Sequence, residues 1–93
     1  MNFEWDENKN KINIKKHNID FENAVECWED KNSIDLFDEK NSTIDEQRWL
    51  KFGRIENGKI LCVVYTEISK NLIRIISAFS DKKIERLYYE QKN

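Results

Sequence analysis

Ninety-three residues give room for one small core and exclude a second independent one. Charged residues make up 37% and hydrophobic residues 39%, yet three Trp, three Tyr and five Phe are too many aromatics for a chain that stays unfolded. The net charge of −2 weighs against a general nucleic-acid binder, whose affinity comes mostly from Lys and Arg on phosphates.

The opening Met1-Asn2-Phe3-Glu4-Trp5-Asp6 has no apolar stretch of signal-peptide type, and the longest apolar run, Ile60 to Tyr65, is too short to span a bilayer. A cytoplasmic protein without membrane contact is expected, residues 1–93 forming one domain. Cys27 and Cys62 read as buried reduced thiols, and with His17 the only histidine no zinc-type spacing exists, so neither metal nor cofactor is expected. Charge is unevenly spread. From Asp20 to Glu46 ten acidic residues face two basic ones, a balance of −8, while the remainder holds fourteen basic and eight acidic residues, or +6. Such a division permits one basic surface for RNA and one acidic surface for another partner; an evenly solvated surface is the alternative.

Phe3 and Trp5 alternate with polar neighbours as in a short strand, and Asp6 then caps a lysine-rich helix to about Lys16, whose apolar positions are Ile12 and Ile14. Asp20 is an N-cap for a second helix, with Phe21, Ala24, Val25 and Trp28 at i, i+3, i+4 and i+7 and Ile19 as the staple residue. Residues 34–38 read as a strand, followed by an aperiodic, mobile connection from Glu39 to Asp45.

Asn57-Gly58 between two strand-like runs predicts a hairpin with a two-residue type I′ turn. That register pairs Glu56 with Lys59, Phe52 with Val63, Leu50 with Tyr65 and Arg48 with Glu67, placing Leu50, Phe52, Val63 and Tyr65 on one face. Leu72 to Phe79 is nearly all apolar, as in a central strand covered on both faces, with Arg74 and Ser77 conspicuous in it. Ser80 caps a last helix with Ile84, Leu87, Tyr88 and Gln91 inward and Lys82, Arg86 and Tyr89 on another face. The order is strand, two helices, four strands, helix: an α+β domain with helices packed on an antiparallel sheet.

Phosphate-loop, dinucleotide, zincin and nucleophile-elbow motifs are absent. His17 suits general acid–base work or simply helix termination. Arg74 in an apolar strand must snorkel at an edge, pair with a carboxylate, or offer its guanidinium in a cleft. Lys82, Arg86 and Tyr89 suit a phosphate and a base or proton, or form a solvated face.

These segments together resemble the BrnT family. Phe3-Glu4-Trp5-Asp6 with Lys9 is like its start, and Lys15 to Ala24 is similar to its KHGVSFEEA stretch. Glu46-Gln47-Arg48, Gly53, Gly58 and Thr66-Glu67 follow in order; Arg74 to Ala78 is like the family's RIISA strand, and Glu85-Arg86 with Tyr89 like its terminal helix. Asn18 replaces a glycine, a mild change because Asn tolerates a left-handed backbone. Ile68 and Phe79 stand where relatives often carry arginine.

The resemblance implies a small RelE-like domain that cleaves RNA without metal and inhibits translation. It also implies neutralisation by a BrnA-like ribbon-helix-helix antitoxin, through which alone operator DNA is met. On it, Arg74 and Arg86 hold phosphate charge, His17 or Tyr89 moves protons, and Lys9, Lys16, Arg48 and Lys82 contact the RNA. The alternative is a toxin-fold protein without activity that serves as binding partner or co-repressor.

Overall fold

The computed structural model describes residues 1–91. In chain order it has β1 (Asn2–Glu4), α1 (Glu7–His17), α2 (Phe21–Ala24) continuing as a 3-10 turn (Val25–Glu29), β2 (Ile34–Phe37), a second 3-10 turn (Glu39–Asn41), β3 (Arg48–Arg54), β4 (Ile60–Ser69), β5 (Leu72–Phe79) and α3 (Lys82–Gln91). The five strands form one sheet in the order β1-β5-β4-β3-β2. The expected α+β class and element order hold, but the sheet is mixed: β1 runs parallel to β5, pairing Phe3 with Ile73 and Glu4 with Arg74. Nearly the whole chain separates these two strands, so no tight turn imposes the antiparallel sense.

The three helical segments do not share one face of the sheet. Phe21, Ala24 and Cys27 are fully buried against Leu61, Val63, Ile73, Ile75 and Ala78 on one face. Their spacing of three is the 3-10 period, which is why the expected regular helix tightens at Val25 and turns Cys27 inward. Gly53 of β3 lies beneath it, where an added Cβ would stand 2.7 Å from the Cys27 Cβ. On the opposite face Ile84 and Tyr88 of α3 cover Phe52, Ile60 and Cys62. Gln91, expected inward, is exposed. Asp81 rather than Ser80 caps α3: its Oδ1 accepts from the Ile84 N–H at 2.8 Å, while the Ser80 hydroxyl donates to the Ile60 carbonyl.

α1 docks at the sheet's edge through polar groups. Ile12 is 64% exposed and Ile14 is exposed too; the buried positions are Asn10 and Asn13. Asn10, Asn13 and half-buried His17 fall at i, i+3 and i+7, one stripe of the helix. Asn13 Nδ2 donates to the carbonyls of Ile19 and Ala78, both at 2.9 Å, and its Oδ1 accepts from the Ala78 N–H. It thereby satisfies the edge of β5 beyond the reach of β1. Asn10 likewise accepts from the Phe21 N–H and donates to Asp20, whose carboxylate also caps α2. Asn18 ends α1 in the left-handed region, φ 58°, as its side chain permits.

The β3–β4 hairpin turns at Asn57-Gly58, but its loop has three residues. The Gly58 N–H donates to Ile55 O, the Ile55 N–H donates to Lys59 O, and Gly58 has positive φ (+92°) whereas Asn57 does not. A type I turn closed by a glycine bulge therefore replaces the expected type I′ turn. The register moves by one residue: Phe52 pairs with Cys62, Trp49 with Tyr65 and Arg48 with Thr66. The expected Phe52–Val63 and Leu50–Tyr65 pairs, and with them the Glu56–Lys59 and Arg48–Glu67 charge pairs, are lost, since a one-residue slip sends each side chain to the other face.

Two further findings bear on the sheet. The Glu39–Asp45 connection holds a 3-10 turn and is tied down, the Ser42 hydroxyl donating to the Asp38 carbonyl and accepting from the Arg48 N–H. Lys51 is buried beneath Trp28 with its Nζ 4.9 Å from the ring centroid and 3.1 Å from Asp35 Oδ2. The Tyr65 hydroxyl donates to the other oxygen of the same carboxylate at 2.7 Å.

Candidate active site

The register lays three transverse rows across the sheet face that carries α3. Ile34, Phe52, Cys62 and Phe79 form the first, beneath the helix. Leu36, Leu50, Val64 and Ser77 form the second, half open to solvent. Arg48, Thr66, Arg74 and Glu4 form the third, at the end of the sheet away from α3. β5 is an inner strand, but β4 is the central one, and at Arg74 the sheet face is uncovered. Of the three fates open to Arg74, the structure shows an ion pair that is itself solvent-accessible.

Arg74 Nε donates to Glu4 Oε2 at 2.6 Å, and Arg48 Nε to Glu46 Oε1 at 2.8 Å. Between them Thr66 is buried, its hydroxyl donating to the Gln47 carbonyl at 2.8 Å. Each arginine keeps further N–H donors for an anion, and both carboxylates are partly exposed. Arg74 lines two clefts at once. One, about 650 Å³, also holds Glu46, Thr66, Glu67, Trp49 and Ile68; the other, about 370 Å³, holds Glu4, Lys9 and Ile76. Lys16 and His17 line a third cleft together with Lys9 and Ile76. The His17 ring stands against Phe79, with centroids 5.9 Å apart.

The clefts thus join Arg74, Lys9, Lys16 and His17, whereas Arg48 shares the strand row of Arg74 and lines none of the three clefts. Lys82, Arg86 and Tyr89 lie exposed on α3 and line none of these three clefts. The row beneath α3 is four residues of β4 from the arginine row, about 13 Å. Glu4, Glu46 and Thr66 were not singled out as functional from the sequence. Glu4 had one legible signal, its outward place between Phe3 and Trp5; its pairing with Arg74, seventy positions away, had none.

Burial pushes the thiols of both Cys27 and Cys62 up to about 12, which keeps them protonated and unreactive. Among the described residues no group of three or more His, Cys, Asp or Glu is arranged to hold a metal ion. No helix among them is long and apolar enough to cross a membrane.

The family model for the ribonuclease toxin BrnT of type II toxin–antitoxin systems matches residues 5–85. The chain belongs to the BrnT family. The crystal structure of the Brucella abortus ribonuclease toxin BrnT, at 1.1 Å resolution, is similar to it with a TM-score of 0.67 and 23% identity, over 88% of this chain and 97% of that one. At that identity the likeness is one of fold. No curated protein matches the chain. The BrnT match includes Lys9, Lys16, His17, Arg48, Arg74 and Lys82; Glu4, Arg86 and Tyr89 fall outside it. A BrnT toxin belongs to a pair, so the family implies an antitoxin partner.

Proposed function

We propose that this BrnT-family chain is itself a metal-independent endoribonuclease whose reacting phosphate sits on Arg74. On this reading it inhibits translation by cutting RNA and is neutralised by a BrnA-like ribbon-helix-helix antitoxin, which alone contacts operator DNA. The observation that carries it is the open row in which Glu4 and Arg74 meet, with Lys9 in the same cleft. Arg74, helped by Lys9 and Arg48, offsets the charge that builds on the phosphorane. Glu4, released when the phosphate takes over the guanidinium, accepts the 2′-OH proton. The 2′-oxygen attacks phosphorus, the bond to the 5′-oxygen breaks, and that oxygen takes a proton from solvent water, to which Glu4 returns the proton it accepted, leaving a cyclic phosphate and a 5′-hydroxyl.

Glu4 is better placed for the first proton than His17, which stands at Phe79, five residues or about 16 Å along β5 from Arg74. Lys82, Arg86 and Tyr89 take no part in the first contact.

The test is cleavage of a labelled RNA, with and without chelator, by the wild type, Arg74→Ala, Glu4→Gln and His17→Gln. Arg74→Ala should abolish cleavage, and Glu4→Gln should lower kcat about 10²- to 10⁴-fold. Chelator should change nothing. A wild-type loss under His17→Gln with Glu4→Gln unimpaired would move the base to His17. An inert wild type would leave the binding-partner or co-repressor reading.

A further inference from the structure

The cleft that holds Glu4 and Arg74 shares two of its walls, Lys9 and Ile76, with the cleft that holds Lys16 and His17. Shared walls make them one groove, running from Arg74 along α1 to its C-terminal end. Its charge turns positive away from Arg74, since Glu4 and Asp6 line only the near cleft. Lys9 and Lys16 form no ion pair among the described residues, and no carboxylate lines the far cleft. Across Arg74 the larger cleft is rimmed instead by Asp45, Glu46 and Glu67, two of them exposed, which repel a polyanion.

The apolar parts of the groove narrow the ligand further. Ile12 and Ile76 offer open apolar surface between the two lysines, and the His17 ring, backed by Phe79, closes the end. A duplex hides its base faces; an unpaired strand can lay a base or sugar on such a floor while its phosphates reach the lysines. Lys9 and Lys16 are seven residues apart on α1, about 10 Å along its axis, a span of about three nucleotides at a 3.4 Å stacked rise.

We infer that single-stranded RNA leaves Arg74 on one side only, along α1, with phosphates about three nucleotides apart on Lys9 and Lys16. This rests on the ribonuclease reading only in taking Arg74 as the place of the reacting phosphate.

Binding of fully 2′-O-methylated oligoribonucleotides, which cannot be cut, separates the two claims. A hexanucleotide should bind the wild type more than tenfold tighter than a dinucleotide. Lys9→Ala/Lys16→Ala should erase that advantage and lower the slope of log affinity against log salt by about 1.4, at about 0.7 per lost contact to a single strand. Lys11→Ala, outside the groove, should change neither. A hexanucleotide no tighter than the dinucleotide, an advantage that survives loss of both lysines, or a duplex bound as well as the single strand overturns the groove. Cleavage of unmodified RNA without any length effect would overturn the groove and leave the ribonuclease standing. Tight, lysine-dependent hexanucleotide binding without cleavage of unmodified RNA supports the groove and fails the ribonuclease.

Discussion

Asn13 joins three parts of the fold with one side chain, and its loss isolates partners that water cannot reach. Alanine there leaves the Ala78 N–H and carbonyl without partners in a buried place; at ~1–3 kcal/mol for each, Asn13→Ala should cost about 3 kcal/mol, read from urea unfolding. A loss below about 1 kcal/mol would show that the edge of β5 finds other donors and acceptors. Asn10 and Asn13 were not legible as core, because a hydrophobic count ranks Ile12 and Ile14 above them; only the stripe shared with His17 hinted otherwise. The buried cysteines were legible, and they set a pH dependence. Both thiols titrate near 12 in the fold against an ordinary value near 9. The unfolded chain therefore loses these protons first, so stability is fully present below about pH 9 and falls above it, by ~1.4 kcal/mol per group per pH unit at most. Denaturant unfolding at pH 8 and pH 10 should show the drop, and Cys27→Ser/Cys62→Ser should flatten it.

At the scale of elements, the place of the hairpin was legible and its type was not. Asn57-Gly58 fits a type I′ turn as well as a type I turn with a glycine bulge, and one residue of loop length decides which side chains meet α3. Gly58 alone carries the positive φ, so Gly58→Ala should cost ~1–2 kcal/mol while Asn57→Ala should cost less. Equal losses would restore the two-residue turn. Gly53 shows a different use of glycine, close approach of β3 to the 3-10 turn. Gly53→Ala should destabilise by ~1–3 kcal/mol through overpacking, and Cys27→Ala should not rescue it, since the contact is with Cβ. Thermal unfolding of the single and double variants checks both statements.

Across the whole molecule, charge divides beside Arg74, with lysines of α1 on one side and Asp45, Glu46 and Glu67 on the other; only Asp45 and Glu46 of these belong to the acidic segment of the sequence. That acidic side also carries Ile44, which is fully exposed, and Ile68. Arg74 was conspicuous from the start because an arginine in an apolar strand needs a reason. Its companion Glu4 was not, since strand pairing between the two ends of a chain leaves no local pattern. Register, too, had to be seen, for Arg48 and Thr66 join the row only after the one-residue shift.

The contact between Glu4 and Arg74 also has a place in time. Its two halves lie seventy positions apart, so during synthesis β1 emerges first and waits without a strand to join until β5 follows it out. A growing chain can close its β3–β4 hairpin and still lack the paired row, and a fragment ending before residue 72 has no such row at all. Pulsed hydrogen exchange during refolding should find the amides of β1 protected after those of the hairpin. On the ribonuclease reading proposed above, the chain would thus lack its site while the ribosome is still making it.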